Sequence, residues 1–444
     1  MHDWPGTLGR LGGFAATLCW DDVTPQVRER LGLVLLDTIG VTIAGARTPE
    51  LRALTGAWDS PAGPATLMGA GRQTTVDAAA WLNGTAACCL ELDEGNKYAR
   101  GHPAAHAFPA VLALGEALEV SGRQLCEALL VGHEVASRFG RAFAGAPGVH
   151  PHGHWGVTGA AAAAARLLGA DATGIAGAID AACGLQLATH FDVALQGTFV
   201  RNTWIGAANA NGLVAARLAM AGLARPAGTA GLTLGTLLGT LDSDALTDAL
   251  GTRFDVTNGY FKRHASCSYT HPPADAVLEL RERHPDLRAE DVVSIEVSTH
   301  HLAVPLDGTE FPTRLAAMFS VPYVVAAALT HGACAPTAFD DAHRSDPTVL
   351  RLAEATRVSL DPALDARLPV ERPARVVLRM ADSSSVAAEV PNPIGDADRH
   401  PFGHGEVLAK LTDLLGDADA DALSGALTAL PTAPTIRSLS EAIR

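Results

Sequence analysis

Glu91-Leu-Asp-Glu-Gly-Asn-Lys-Tyr-Ala-Arg-Gly-His-Pro-Ala-Ala-His106 crowds acid, base and cation together more densely than any other stretch of the chain. It is flanked by segments that read as buried helices. Residues 76–92 carry a helical pattern up to its first acid, and the apolar run Phe108 to Leu118 follows it, with Pro109 opening a helix to Val120. Polar groups between two elements that belong in a core need partners or a ligand. Working outward, Thr24-Pro25 is an N-cap and first-turn pair, and Val27 to Ala44 follows as a helix apolar nearly all round. Ser121 caps another, in which Leu125, Leu129, Gly132, Ala136, Phe139 and Phe143 keep helical spacing. Residues 156–169 form an alanine-rich helix whose small side chains admit close neighbours, and helices are expected at about 172–188 and 205–223. No alternating strand is evident before about residue 260.

The texture then changes. Val293, Ile295 and Val297 alternate with polar residues, and Arg375 to Met380 is a β-branched run before a Ser-rich turn, both typical of strands. Helices at about 272–283 and 313–331 lie between them, and 406–415 returns to helical pattern. The expected fold is mainly α: a large all-helical domain begun by residues 1–262, a smaller α+β domain at 263–395 inserted in it, and a return to the helical domain at 396–444.

With 444 residues, 48% hydrophobic and 18% charged, the chain is long enough for two domains and is no disordered polymer. A formal net charge of -15 without any Lys/Arg run excludes a nucleic-acid partner. Any anionic substrate must therefore find its cations locally. Lys97, Lys262 and Lys410 are the only lysines, and two of them fall in the segments singled out here. The seven cysteines, an odd number without CxxC spacing, fit reduced thiols. Met1 to Gly13 lacks the pattern of a secretory signal, and 156–169 is too short and alanine-rich to span a membrane. No membrane partner is expected, and the cytoplasm is the expected location.

Within the polar stretch, His102-Pro-Ala-Ala-His106 sets two imidazoles four residues apart. Imidazole is the side chain best matched to proton transfer near neutral pH. The same spacing could hold zinc, although the Glu of an HExxH motif is missing, or could be two core histidines. His150-Pro-His-Gly-His154-Trp155 precedes the alanine-rich helix, where alternate histidines suit a metal, an anion beside a helix N-terminus, or simple packing on Trp155. Arg201, just ahead of a helix containing Asn209 and Asn211, has the fork that clamps a carboxylate. Phe261-Lys-Arg-His264 through His271 gathers Lys262, Arg263, His264 and His271 at the domain boundary, a favoured place for ligands. There is no GxSxG, no Walker loop and no strand-led GxGxxG, so cofactor-dependent hydride or phosphoryl transfer has no support and no cofactor is expected.

Taken together these segments resemble the MmgE/PrpD family, which includes 2-methylcitrate dehydratase, cis-aconitate decarboxylase and iminodisuccinate epimerase. The resemblance spans nearly the whole chain. It is carried by Leu36-Asp-Thr-Ile-Gly-Val-Thr-Ile-Ala-Gly45, Leu82-Asn-Gly-Thr-Ala86, His102-Pro-Ala-Ala-His106, His150-Pro, Gly156-Val-Thr-Gly, Gly197-Thr, Lys262, Thr270-His-Pro, Phe319-Ser-Val-Pro-Tyr323 and Asn392-Pro-Ile-Gly-Asp396. It implies a helical domain with a smaller α+β lid, a homodimer, catalysis without a metal, and a di- or tricarboxylate bound in a basic interdomain cleft. By motif, His106 falls on the family's active-site histidine, His150 on a second, and Arg201 and Lys262 on lysines. Two departures stand out. The family's Asp-Phe-Asp-Asp is followed closely by its HP segment, whereas here Gly95 to Gly101 forms a longer loop bearing Lys97, Tyr98 and Arg100. Arginine also replaces lysine at 201, which keeps the charge but gives up a proton less readily.

The expected chemistry follows from the carbon acid. A hydrogen next to a carboxylate leaves only with a positioned base and cations on the oxygens where charge grows. The expectation makes His106 the base, His150 or Asp93 the acid, and Arg201, Lys262 and Arg100 the carboxylate holders, with Lys97, His102, Arg263 and His264 around the substrate. A β-hydroxyl would then leave as water, the dehydratase outcome favoured here. Reprotonation would give an epimerase or isomerase, and loss of a carboxylate a decarboxylase. A metal-dependent hydrolase and a non-catalytic carboxylate-binding protein are the alternatives of a different class.

Overall fold

In the computed structural model, which describes residues 3–444, the chain is mainly α-helical. Met1 and His2, the first positions of the N-terminus expected to carry no secretory signal, lie outside the described residues. From Leu33 onward the helix Pro25–Ala46 is buried on every face, packed by Val76–Ala87, His404–Leu415 and Asp417–Ala429 among others, while its first two turns keep exposed and charged residues. The Thr24 hydroxyl accepts the Val27 N–H at its start. At Gly40 a Cβ would collide with the Leu411 side chain, so the C-terminal helices seat against this one through a glycine-sized gap.

The alanine-rich helix Val157–Leu167 lies among Pro103–Ala117, Gly122–Ala142, Ala172–Ala182 and Val200–Met220. Its small residues set that closeness: a Cβ on Gly159 would strike the Gly132 carbonyl, and one on Gly212 would strike Ala160. Short side chains give little apolar area each, so density of contact supplies the attraction.

Helix boundaries differ from expectation where prolines and caps intervene. Residues 76–92 were expected to be helical throughout, but the helix stops at Ala87. The next begins at Pro103 rather than Pro109 and runs through Pro109 to Ala117. Proline at 109 removes an N–H and leaves the Ala105 carbonyl unpaired. Asn209 repairs the break, its Nδ2 donating to the Ala105 oxygen at 2.9 Å while its Oδ1 accepts the Ala110 N–H at 2.9 Å. The 313–331 helix is divided into Arg314–Met318 and Val321–His331, because the Ser320 hydroxyl accepts the Tyr323 N–H and starts a new helix.

Strands do occur before residue 260, contrary to expectation. Ala65–Leu67 pairs with Arg72–Thr74, Gly95–Asn96 with Gly259–Tyr260, and Phe143–Gly145 with Gly239–Leu241. Elements of two or three residues carry no readable alternation. The second pair ties the polar stretch to the segment bearing Lys262. Further on, a four-stranded sheet runs in the order Ser385–Val390, Ala374–Met380, Val292–Thr299, Thr356–Leu360, antiparallel except for the last, parallel pair. Val292, Ile295 and Val297 face inward with the helices His271–Arg283 and Val321–His331, forming one apolar cluster. Val407, Leu411, Ala420 and Leu423, near the chain's end, belong instead to the cluster of the earlier helices. No single helix among the described residues is long and apolar enough to cross a membrane.

Candidate active site

The polar stretch lies along a cavity of about 520 Å³ whose wall draws on both parts of the chain. Glu91, Arg100 and His102 come from the stretch, His150 and Arg201 from the helical part, and Lys262, Tyr269 and Arg372 from beyond residue 260. His102 is the N-cap of Pro103–Ala117, placed there because Pro103 suits the first helical position. Its Nδ1–H donates to the Glu94 carbonyl at 2.7 Å and lies 3.0 Å from Asp93 Oδ2. That makes Nδ1 the donor and leaves Nε2 without a hydrogen bond among the described residues.

Asp93 is buried directly behind it. Burial pushes its carboxyl upward, but the His102 imidazole and the Lys262 ammonium outweigh that, and it stays ionised below the ordinary carboxylate range. Lys262 Nζ stands 3.6 Å from Asp93 Oδ1 and 3.2 Å from Glu91 Oε2, while Arg201 pairs with Glu91 Oε1. Glu91 thus bridges two buried cations. For Lys262, burial lowers the pKa and the Glu91 and Asp93 carboxylates more than restore it, so it is held protonated. Arg201 is one residue inside the helix Val200–Met220, not ahead of it as expected, and its guanidinium lies over Phe319.

His106 does not line the cavity. Its Nδ1–H donates to the His102 carbonyl at 2.7 Å, and its Nε2 accepts the Gly153 N–H at 3.3 Å, so both ring nitrogens are used. Burial pushes its pKa down to about 3. The expected base is therefore a buried, neutral neighbour of the site, and it is His102, expected as a substrate contact, whose Nε2 is unengaged. His150 does line the cavity; its Nδ1 accepts the His152 N–H at 3.0 Å, so the neutral ring carries its proton on Nε2. His150 and His152 are pushed well below the ordinary imidazole value by burial first and the Arg201 charge second, and His154 falls to about 4 through burial. Among the described residues no three His, Cys, Asp or Glu side chains converge as metal ligands.

Three further expectations shift. Lys97 does not face the cavity; it is buried against Asp396 at 3.1 Å and Asp398 at 2.6 Å, because the 95–101 loop turns its side chain toward the 396–398 segment. Arg263 and His264 lie outside it too, both on Asp275, at 3.4 and 3.0 Å. Arg100, exposed and in the left-handed region with φ 57°, does line the cavity. Arg372, Tyr260 and Tyr269 had not been singled out. The chain has only four tyrosines, and two of them here are a signal that sequence could have offered; nothing distinguishes Arg372 among the many arginines.

The charged lining sets Glu91 and Asp192 against Arg100, Arg201, Lys262 and Arg372, a local cation excess in an acidic chain. Such a cavity attracts small anions, and an imidazole whose Nε2 is unengaged there can move a proton.

Comparison with known proteins agrees with the motif reading. Residues 9–229 match the MmgE/PrpD N-terminal domain and residues 264–423 the MmgE/PrpD C-terminal domain. Cis-aconitate decarboxylase of Aspergillus terreus is 28% identical over 451 residues, covering 93% of this chain and 89% of its own length. The cis-aconitate decarboxylase-like protein oryM of Aspergillus oryzae is 29% identical over 363 residues, covering 72% of this chain and 74% of its own. With both domain matches in chain order and together covering most of its length, the chain belongs to the MmgE/PrpD family.

Proposed function

We propose that this chain is a cofactor-independent lyase acting on a small unsaturated or hydroxylated di- or tricarboxylate, with His102 moving the proton. The observation that carries the reading is the His102 geometry: Nδ1 locked by Glu94 and backed by Asp93, Nε2 unengaged, in a cavity lined by an excess of cations. Asp93 stabilises the imidazolium that forms when His102 takes a proton. Lys262 and Arg201 are placed to stabilise negative charge on a carboxylate conjugated to the reacting carbon. His150, with its proton on Nε2, is a hydrogen-bond donor at neutral pH.

The decarboxylase relatives favour loss of carbon dioxide from an unsaturated tricarboxylate. In that reaction the C–C bonding pair becomes a new double bond, the old π pair moves to the carbon next to a second carboxylate, and the His102 imidazolium, charged beforehand by a proton from solvent, delivers from Nε2 the proton that quenches it. Loss of water is the second reading, since it begins by removing a proton from such a carbon, with the His150 Nε2–H placed to hydrogen-bond the departing oxygen. Epimerisation needs the same proton step without a leaving group.

The segment 263–395 supplies Tyr269, Phe319 and Arg372 to the wall, which supports reading it as an inserted lid over the helical domain. The family resemblance and the exposure of Leu223, Leu232 and Leu237 (76%, 71% and 76%) support a homodimer. Light scattering should then give twice 45.8 kDa, and the single-chain mass would refute it. Seven unpaired cysteines fit work in the cytoplasm. To test the reaction, purified protein is incubated with cis-aconitate and with hydroxylated tricarboxylates, and products are followed by NMR. Carbon dioxide release with a proton gained next to a remaining carboxylate is expected; no turnover of any of them would refute the reading.

A further inference from the structure

Arg372 is buried, its side chain lining the cavity, and among the described residues no carboxylate lies within ion-pair distance of it. Its side-chain hydrogen bonds go to uncharged oxygens, the Ser268 hydroxyl at 3.3 Å and the Lys97 carbonyl at 3.1 Å, so part of its five-donor fork is unused. Tyr260 and Tyr269 flank the guanidinium, their ring centres 5.5 and 5.4 Å from Cζ. The other two buried cations of the cavity, Arg201 and Lys262, share Glu91. Burying a charge without a partner is costly unless a ligand supplies one. The arginine is nonetheless held firmly: Lys97 Nζ donates to the Val370 carbonyl at 2.8 Å while Arg372 donates back to the Lys97 carbonyl, so the 95–101 loop and the 370–372 segment clasp each other. A fixed, dehydrated guanidinium with spare donors and aromatic walls is suited to a planar anion.

We propose that Arg372 is a specificity-determining residue that receives a carboxylate of the substrate other than the one facing Lys262 and Arg201. The cavity then selects ligands with at least two separated carboxylates. This rests on the polycarboxylate reading above. It gives the longer 95–101 loop a purpose, since Lys97 of that loop sets the arginine's position without touching substrate.

The test measures binding to the full-length protein by NMR titration, with tricarballylate as the unreactive polycarboxylate probe and butyrate as the single-carboxylate control. Wild type should prefer tricarballylate. Arg372→Gln should weaken tricarballylate by about tenfold to a hundredfold, the range of a charge-assisted hydrogen bond, and leave butyrate unchanged. Arg372→Lys, which keeps the charge but not the fork, should fall between. Equal losses for both probes would make Arg372 a structural residue, and no loss would leave it without a role; either overturns the proposal. Should Arg372→Gln fail to fold by circular dichroism, Arg372→Lys decides, and wild-type affinity for tricarballylate in that variant overturns it. If wild type turns over cis-aconitate while either overturning result is seen, only the Arg372 assignment falls. If wild type neither binds tricarballylate nor turns over any polycarboxylate, the functional reading falls with it.

Discussion

His102 and His106 show how partners leave one ring nitrogen unengaged beside the cavity and occupy both nitrogens of its neighbour. They sit one helical turn apart in a stretch that reads as a single motif, yet backbone partners assign them opposite fates. His106 gives one nitrogen to a carbonyl and the other to an N–H; His102 gives only Nδ1. Spacing alone could place an imidazole pair at the site, but not say which member faces the cavity, because that depends on the distant Gly153 loop. The same burial that neutralises His106, His150, His152 and His154 has a consequence for acid stability. Each has a folded pKa below the unfolded value of about 6.5, so below that pH the unfolded chain takes up protons the folded chain refuses. Their stabilising contribution is full above about pH 6.5 and is lost as pH falls toward the folded values, about 3 for His106 and 4 for His154. Each contributes up to about 1.4 kcal/mol per pH unit in that window. Thermal melts from pH 8 to 5 should show Tm dropping from just under 6.5; a flat Tm to pH 5 would contradict the burial of these rings.

At the scale of elements, Pro109 marks the limit of local rules. Proline reads as a helix start, and here it lies inside one because Asn209, from Val200–Met220, satisfies the carbonyl that proline strands. That repair lets a continuous helix present His102 at its N-terminus. Asn209→Leu should cost about 1–3 kcal/mol for each backbone group left unpaired. In a Pro109→Ala background, where the helix can close its own bonds, the cost should shrink; denaturant unfolding of the four proteins in a double-mutant cycle measures the difference. Identical costs in both backgrounds would remove Asn209 from that role. The long periodic helices were legible because each carries several repeats of its pattern; in the Val292–Thr299 strand Ile295 and Val297 face inward as expected, but a bulge between Val292 and Ser294 buries Val292 and turns Val293 outward. Thr356–Leu360, one edge of the sheet, was not legible: only Thr356 is buried, while Arg357, Ser359 and Leu360 are exposed, so no apolar face repeats along it.

At the scale of the whole molecule, the scarcity of lysine was a truer guide than composition suggested. Lys262 joins Glu91 and Asp93, Lys97 clasps the 370–372 segment, and Lys410 from the C-terminal helix reaches Asp37 at 2.6 Å and the Leu92 carbonyl at 2.7 Å. All three tie distant parts of the chain to the polar stretch, and Lys410 holds the backbone between Glu91 and Asp93. The architecture was legible in outline; the partners that neutralise each cation were not, because Asp396, Asp37 and Glu91 meet them only after folding. Arg372 escaped for the same reason. The central claim is that His102 transfers the proton to or from a carbon next to a carboxylate. Its most direct test is deuterium incorporation next to a carboxylate of cis-aconitate or its product in heavy water, followed by NMR for wild type, His102→Gln and His106→Gln. The account predicts a loss of about a hundredfold or more for His102→Gln, the usual reach of a positioned acid–base group, with His106→Gln retaining most of the rate. Wild-type incorporation by His102→Gln would contradict it.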